Sequence, residues 1–233
     1  MTGADHCALL PLLRQTSAVL LDFDGPVCDL FSAYPAPRVA ADLRDHLDAH
    51  AIPVPEELHG LDDPLALVRQ LHRHAPQHYP AAEAFLTRAE TRAAARAAPT
   101  PGAVEALAAC ARRALPVAVV SNNSPEAIRT FLAARGLQGL VAGVFGRDKT
   151  TPERLKPHPH LLNRAAAALR TPHRECLMVG DSTTDVQAAH ALGVRALGYA
   201  NQPGKHAAFQ RLGCAAVITR MTDLAHALLT PAA

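Results

Sequence analysis

The sequence predicts an α/β protein: a doubly wound parallel sheet with an α-helical domain inserted after its first strand. Three observations predict it. From residue 103 onward, short apolar runs alternate with helix-period stretches, the rhythm of parallel strands joined by covering helices. A run of the same kind, Ala18-Val19-Leu20-Leu21, stands alone near the N-terminus and gives way to Asp22-Phe23-Asp24-Gly25-Pro26. Between Pro26 and Pro99 no strand-like run occurs, only helical patterns punctuated by proline.

In chain order, Ala18–Leu21 reads as a buried strand because it is apolar throughout. Residues 38–50, 64–75 and 80–98 carry Leu, Ala and Val at helical intervals with charges between them, and Pro35, Pro37, Pro53, Pro55, Pro64, Pro76 and Pro80 divide them into short helices. Ala98-Pro99-Thr100-Pro101-Gly102 is a hinge-like break. Residues 103–114 then predict a helix, Val117–Val120 a strand, and 125–135 a helix closed by Gly136 as its C-cap. A strand over 140–145, a helix over 158–170 and a strand over 176–179 follow. A helix from about Ser182 to Leu192 ends before Gly193. Strands at 195–199 and 215–218 alternate with helices at 205–212 and 221–229. The first strand belongs with this later sheet by composition. The chain thus divides into a Rossmann-like core, residues 1–26 and 99–233, and a helical cap, residues 27–98.

Composition narrows the function. A chain of 233 residues buries a sizeable core, and 49% apolar with 19% charged residues is ordinary for a soluble globular protein. A formal net charge of +2 implies no polybasic surface, so nucleic acid is not an expected partner. The basic residues are 20 Arg against 3 Lys, a bias to which no function attaches. Cys7, Cys28, Cys110, Cys176 and Cys214 are odd in number and widely spaced, which predicts free thiols rather than disulfides or a metal knot. The leucines at 9, 10, 12 and 13 lack a basic flank and are interrupted by Pro11, unlike a secretory signal. No apolar stretch approaches the roughly 20 residues that span a bilayer. The expectation is a cytoplasmic protein with no membrane partner.

The chemistry gathers at strand ends. Asp22 and Asp24 sit two residues apart where the first strand enters a turn, which points them into the crevice beyond its carboxyl end. Carboxylates so close raise each other's pKa unless a cation neutralises them, and a hard divalent ion such as Mg2+ prefers oxygen ligands. Val120 leads into Ser121-Asn122-Asn123, a hydroxyl and two amides. Leu155-Lys156-Pro157-His158-Pro159 places a lysine before a helix. Val179-Gly180 leads into Asp181-Ser182-Thr183-Thr184-Asp185, two acids four residues apart. All four segments lie on the carboxyl side of strands, so they can converge on one crevice.

In order and spacing these four segments resemble the motifs of the haloacid dehalogenase-like hydrolase superfamily, and the inserted helices resemble its helical cap of the first type, in the phosphoglycolate phosphatase-like subgroup. The resemblance covers residues 18–200. It implies a Mg2+-dependent phosphatase acting on a small soluble phosphate monoester through a phospho-aspartyl intermediate. Asp22 is then the nucleophile, a carboxylate that needs no deprotonation at neutral pH. Asp24 is the general acid and base, a role that needs a pKa above the usual value of about 3.9. Ser121 donates to a phosphoryl oxygen, and Lys156 balances negative charge on the phosphate and on Asp22. Asp22, Asp24, Asp181 and Asp185 form the metal site. Phe23, Asn122, Tyr34 and Arg38 are the expected substrate-contacting positions, the last two from their place at the entry to the cap.

Two departures from the family pattern stand out. Pro26 follows the Asp-Gly step where Thr or Val is common, which removes an N–H from that turn. His160 stands where Asp is common after the Lys-Pro-His-Pro segment, which weakens a helix cap. Lys149 is a second lysine near the site; the proline context favours Lys156. The stripe Arg88, Arg92, Arg96 reads as a solvated face rather than an anion site. His72, His74 and His78 read as solvated, since Pro76 breaks any clean ligand spacing.

Three other activities compete with the phosphatase. Dehalogenase relatives lack the second acid, so Asp24 argues against them. Phosphonate-cleaving relatives use a cap lysine, and residues 27–98 contain none. A sugar phosphomutase keeps the same core and stays open. From a different class, a binding or regulatory protein that retains only the fold also stays open. The cap holds 7 Arg against 10 Asp plus Glu, so its charge advertises no polyanionic substrate.

Overall fold

All four side chains of β1 (Ala18–Leu21) are buried, yet they alternate between two cores: Val19 and Leu21 join one apolar cluster, Ala18 and Leu20 the other. This is the signature of a strand covered on both faces. In the computed structural model, which describes residues 3–230, β1 sits at the centre of a six-stranded sheet. Its companions are β2 (Val117–Val120), β3 (Gly143–Phe145), β4 (Cys176–Gly180), β5 (Arg195–Tyr199) and β6 (Ala216–Ile218). All pairings are parallel and the order is β3-β2-β1-β4-β5-β6. The chain leaves β1 to one side for β2 and β3, then returns to the other for β4. The crevice at the carboxyl ends of β1, β2 and β4 is therefore the topological switch point where ligands bind in such sheets.

One face is covered by α1 (Gly3–Arg14), α5 (Ala103–Arg112), α6 (Pro125–Ala134) and α10 (Met221–Leu229), the other by α7 (His160–Ala168), α8 (Thr183–His190) and α9 (Lys205–Arg211). The doubly wound α/β expectation holds. The leucines near the N-terminus pack on the core: Leu9, Leu12 and Leu13 are buried and α1 lies against β6 and α10. Pro11 does not end that helix. The strand expected over 140–145 starts only at Gly143, because Leu140 and Val141 donate backward to Leu137 and Gln138 in a tight 3-10 turn. Helix α7 begins at His160 rather than 158 and has no side-chain cap on its own N-cap residue, Pro159; the His158 ring accepts from the His160 N–H instead (3.1 Å).

The inserted segment folds as α2 (Ala36–Ala49), α3 (Pro64–His74) and α4 (Tyr79–Arg96) around an apolar cluster of its own, including Val39, Leu43, Leu47, Leu67, Leu71 and Leu86. Helix α4 serves both bodies. Leu86 and Ala89 belong to the cap cluster, whereas Ala93, Ala94 and Ala97, assigned to the cap in sequence terms, pack in the core cluster against α6. The two chain crossings are tied together: the Thr100 hydroxyl donates to the Gly25 carbonyl (2.5 Å) and the Thr100 N–H to that of Val27 (2.9 Å). Cys28, Cys110, Cys176 and Cys214 are free thiols, and the side chain of Cys7 lies outside the described residues. Among the described residues, no helix is long and apolar enough to cross a membrane.

Candidate active site

The turn after β1 aims its two acids. Val27 and Cys28 N–H groups both return to the Phe23 carbonyl (3.1 Å each), and the Gly25 N–H reaches that of Cys28 (2.7 Å). None of these hydrogen bonds needs an N–H at Pro26. Gly25 has φ +100°, and a Cβ there would lie 2.5 Å from the Asp181 carboxyl carbon, so both backbone and space demand glycine. Gly180 answers it on β4: a Cβ there would meet Asp185 at 2.3 Å. The two glycines let both acids of the 181–185 segment close on the strand ends.

Lys156 is the buried centre of the charge arrangement. Its Nζ lies 2.8 Å from Asp22 Oδ1 and 2.6 Å from Asp185 Oδ1, and donates to the Val120 carbonyl (3.0 Å). The ammonium is thus paired with two carboxylates and tied to one main-chain oxygen. Burial works against the Lys156 charge, but Asp185 and Asp22 outweigh it and hold the pKa above the ordinary lysine value. Asp22 Oδ1 also accepts from the Phe23 N–H (2.8 Å), which leaves Oδ2 without a hydrogen-bond partner among the described residues. Burial and the Asp185 charge push Asp22 up to about 6 against the pull of Lys156. Asp24 is pushed up to about 7, chiefly by burial, with the Asp22 and Asp181 charges adding to it while the Leu30 N–H on its Oδ1 (2.9 Å) opposes. Both carboxyls of the turn are thus raised above the ordinary range by burial.

The β2 end supplies a strap. Asn122 accepts from the Lys156 N–H at Oδ1 (2.8 Å) and donates from Nδ2 to the Lys156 carbonyl (3.1 Å), fixing the lysine's main chain. Ser121 Oγ donates to Asn123 Oδ1 (3.0 Å) and accepts from the Asn123 N–H (3.2 Å). Asp185 also caps α8, accepting from the Ser182 N–H at Oδ2 (3.0 Å). Asp181 Oδ2 accepts from Lys205 (2.7 Å) and Asn201 (3.1 Å), both on the segment after β5.

One cavity of about 270 Å3 is lined by Asp22, Asp24, Ser121, Asn122, Lys156 and Asp181 from the core and by Phe31, Asp63, Leu65, Leu86 and Glu90 from the inserted segment. Asp185 lies beneath it, in contact with Lys156. The remaining expected positions lie elsewhere. The Phe23 side chain is buried edge-on against Phe131 (ring centroids 5.4 Å apart) and only its N–H serves the site. Tyr34 donates to Asp42 and lines a separate cavity with Arg92 and Arg96. Arg38 is exposed and pairs with Asp42 (2.9 Å). These three side chains are not among those that line this cavity: Phe23 points into the core, and Tyr34 and Arg38 are drawn to Asp42 on α2. Lys149 pairs with Glu126 at the surface (2.9 Å). His72 is half-buried against the Tyr79 ring rather than solvated.

Carboxylate oxygens of Asp22, Asp181 and Asp185 lie within 4.8 Å of one another, a set of hard oxygen donors that fits a divalent cation such as Mg2+. Asp24 is not part of that cluster. At the strand ends Asp22, Asp24, Asp181 and Asp185 gather around two ammonium groups, Lys156 and Lys205, so acids outnumber bases there.

A buried triad that sequence reading missed locks the insertion to this site. Arg147, two residues beyond β3, donates from Nε to both Glu83 oxygens (3.0 Å each), from Nη1 to Glu90 Oε1 (2.9 Å) and the Asn122 carbonyl (2.7 Å), and from Nη2 to Glu90 Oε2 (3.0 Å). Glu90 in turn accepts from Asn123 Nδ2 (3.1 Å) and the Ser124 N–H (2.9 Å). Glu83 and Glu90 are seven residues apart, on one face of α4, and Arg147 stands just past a strand end. Those two facts are the signal that was available.

Fold and site together define a capped, doubly wound α/β protein with an acid-and-lysine centre at its switch point. The sequence pattern of the haloacid dehalogenase-like hydrolase family matches residues 16–193, and the chain belongs to that family. It is 36% identical over 94 residues to phosphoglycolate phosphatase of Pectobacterium atrosepticum, covering 40% of this chain and 39% of that one. It is 35% identical over 136 residues to the plasmid phosphoglycolate phosphatase of Cupriavidus necator, covering 57% and 56%. The matched part thus spans about half or less of the length of these curated relatives. The crystal structure of CbbY from Rhodobacter sphaeroides in complex with phosphate superposes with a TM-score of 0.69 at 18% identity, over 90% of this chain and 96% of that one, and shows the same fold.

Proposed function

We propose that the chain is a Mg2+-dependent phosphatase of a small phosphate monoester, working through a phosphorylated Asp22. The observation that carries this reading is the buried Asp22–Lys156–Asp185 ion set beneath a cavity that Asp24, Ser121 and Asp181 also line. Asp22 Oδ2, the oxygen free of partners, attacks phosphorus. The bond from phosphorus to the ester oxygen breaks, and protonated Asp24 gives its proton to the departing alkoxide. Asp24 then takes a proton from the water that attacks the phosphoryl group, which releases inorganic phosphate and restores Asp22. Lys156 holds Asp22 in place and balances its charge. Ser121 turns its hydroxyl from Asn123 to a phosphoryl oxygen. Asp22 and Asp181, supported by Asp185, would hold the cation, which would supply positive charge to offset that on the transferring group.

Phosphate release from nitrophenyl phosphate tests this. Turnover should disappear in Asp22→Asn and in excess chelator, and return in the wild-type protein when Mg2+ is restored. Undiminished release from the variant would remove the nucleophile assignment, and undiminished release in chelator the metal.

A further inference from the structure

The charges that line the crevice speak to what leaves it. Lys156 is the only Lys, Arg or His that lines the cavity among the described residues, and its ammonium is already paired with Asp22 and Asp185 and tied to the Val120 carbonyl. A second cleft of about 420 Å3 adjoins it, sharing Asp24 and Asp181; its other lining groups include Asp29, Thr100, Asn201 and Gln202, again with no cation. Lys205 reaches the edge of this region but is paired with Asp181 (2.7 Å).

None of the seven arginines of the inserted segment lines either space. Arg38 pairs with Asp42, Arg44 donates to the Leu61 carbonyl (2.7 Å), and Arg88, Arg92 and Arg96 line cavities on the far side of α4. What the insertion does present is apolar, Phe31, Leu65 and Leu86, with one exposed carboxylate, Asp63. Asp63 Oδ1 caps α3 by accepting from Leu65 (2.9 Å) and Ala66 (3.3 Å), and Oδ2 has no partner among the described residues.

We infer that the leaving group is a small uncharged or cationic alcohol, met by apolar walls and by Asp63, rather than one that carries a carboxylate. This rests on the phosphatase reading above. A carboxylate in this cavity finds no fixed positive partner and faces Asp63, and a site that leaves a buried polar group unpaired discriminates strongly against the ligand that brings it. A hydroxyl or ammonium finds an acceptor. The consequence separates this chain from what the names of its phosphoglycolate phosphatase relatives specify, since phosphoglycolate has a carboxylate on its leaving group.

Three esters of nearly equal size isolate charge: aminoethyl, hydroxyethyl and carboxymethyl phosphate, compared by kcat/KM in the presence of Mg2+ with nitrophenyl phosphate as a control. The first two should exceed carboxymethyl phosphate by about tenfold or more. In Asp63→Asn, where asparagine keeps the helix cap, the preference for aminoethyl over carboxymethyl phosphate should shrink by about threefold, the size of an exposed charge contact. Equal rates, or carboxymethyl phosphate ahead, overturn the inference. So does release from nitrophenyl phosphate with none from the three esters, and in both cases the phosphatase reading stands. An unchanged preference in Asp63→Asn overturns the part given to Asp63. No release from any of the four removes the phosphatase reading itself.

Discussion

At the scale of single residues, Asp22 and Asp24 share a turn and differ in what surrounds them. Asp22 is held by Lys156 and a backbone N–H, while Asp24 has one backbone N–H and no cation of its own. Burial pushes Asp24 up to about 7, which suits it to the proposed role of carrying the proton. An alkyl ester needs that proton to leave and a nitrophenyl ester does not. Asp24→Asn should therefore lose about 100-fold or more in kcat on hydroxyethyl phosphate and markedly less on nitrophenyl phosphate. An equal loss on both would show that Asp24 holds structure rather than moving a proton. These acids were legible in the sequence because a pair of carboxylates at a strand end is rare and costly. Tyr34 and Arg38 were placed by position alone. The direction in which a chain leaves a turn depends on packing that no local pattern records, here the apolar cluster that Phe31 and Tyr34 join in the insertion.

At the scale of elements, strands and helices were legible wherever period and punctuation agreed, as at Val117–Val120 and Arg195–Tyr199, each matched residue for residue. Helix α1 was hidden by Pro11, which reads as a breaker until Leu9, Leu12 and Leu13 are seen packing on α10. The most consequential element is α4, whose two glutamates meet Arg147 in a buried triad. Burial raises Glu83 in spite of its partner, whereas Glu90 and Glu83 outweigh the burial of Arg147 and raise it. Arg147→Met leaves two buried carboxylates without their cation and should destabilise the protein by about 3–5 kcal/mol in urea unfolding. The triple variant Glu83→Gln, Glu90→Gln, Arg147→Met should recover most of that loss. A single variant as stable as the wild type would mean that solvent reaches the triad.

At the scale of the whole molecule, the inserted helices and the sheet share α4 and the tie between Thr100 and the Gly25 turn, which predicts that they unfold together. Calorimetric unfolding should be a single transition whose measured and van't Hoff enthalpies agree, and two separated transitions would show that the cap melts on its own. This unity places a lysine-free cap over an acid-rich crevice and positions Asp63 at its rim. The doubly wound core and its four strand-end motifs were readable from sequence because each is local. The charge of the cavity was not, since it depends on where seven arginines point. The proposed reaction requires Asp22 to be the group that becomes phosphorylated. Rapid acid quench of the enzyme turning over nitrophenyl phosphate with Mg2+, followed by peptide mass mapping, should find an alkali-labile phosphate on Asp22 and none in Asp22→Asn. Full turnover with that carboxylate never phosphorylated would contradict it.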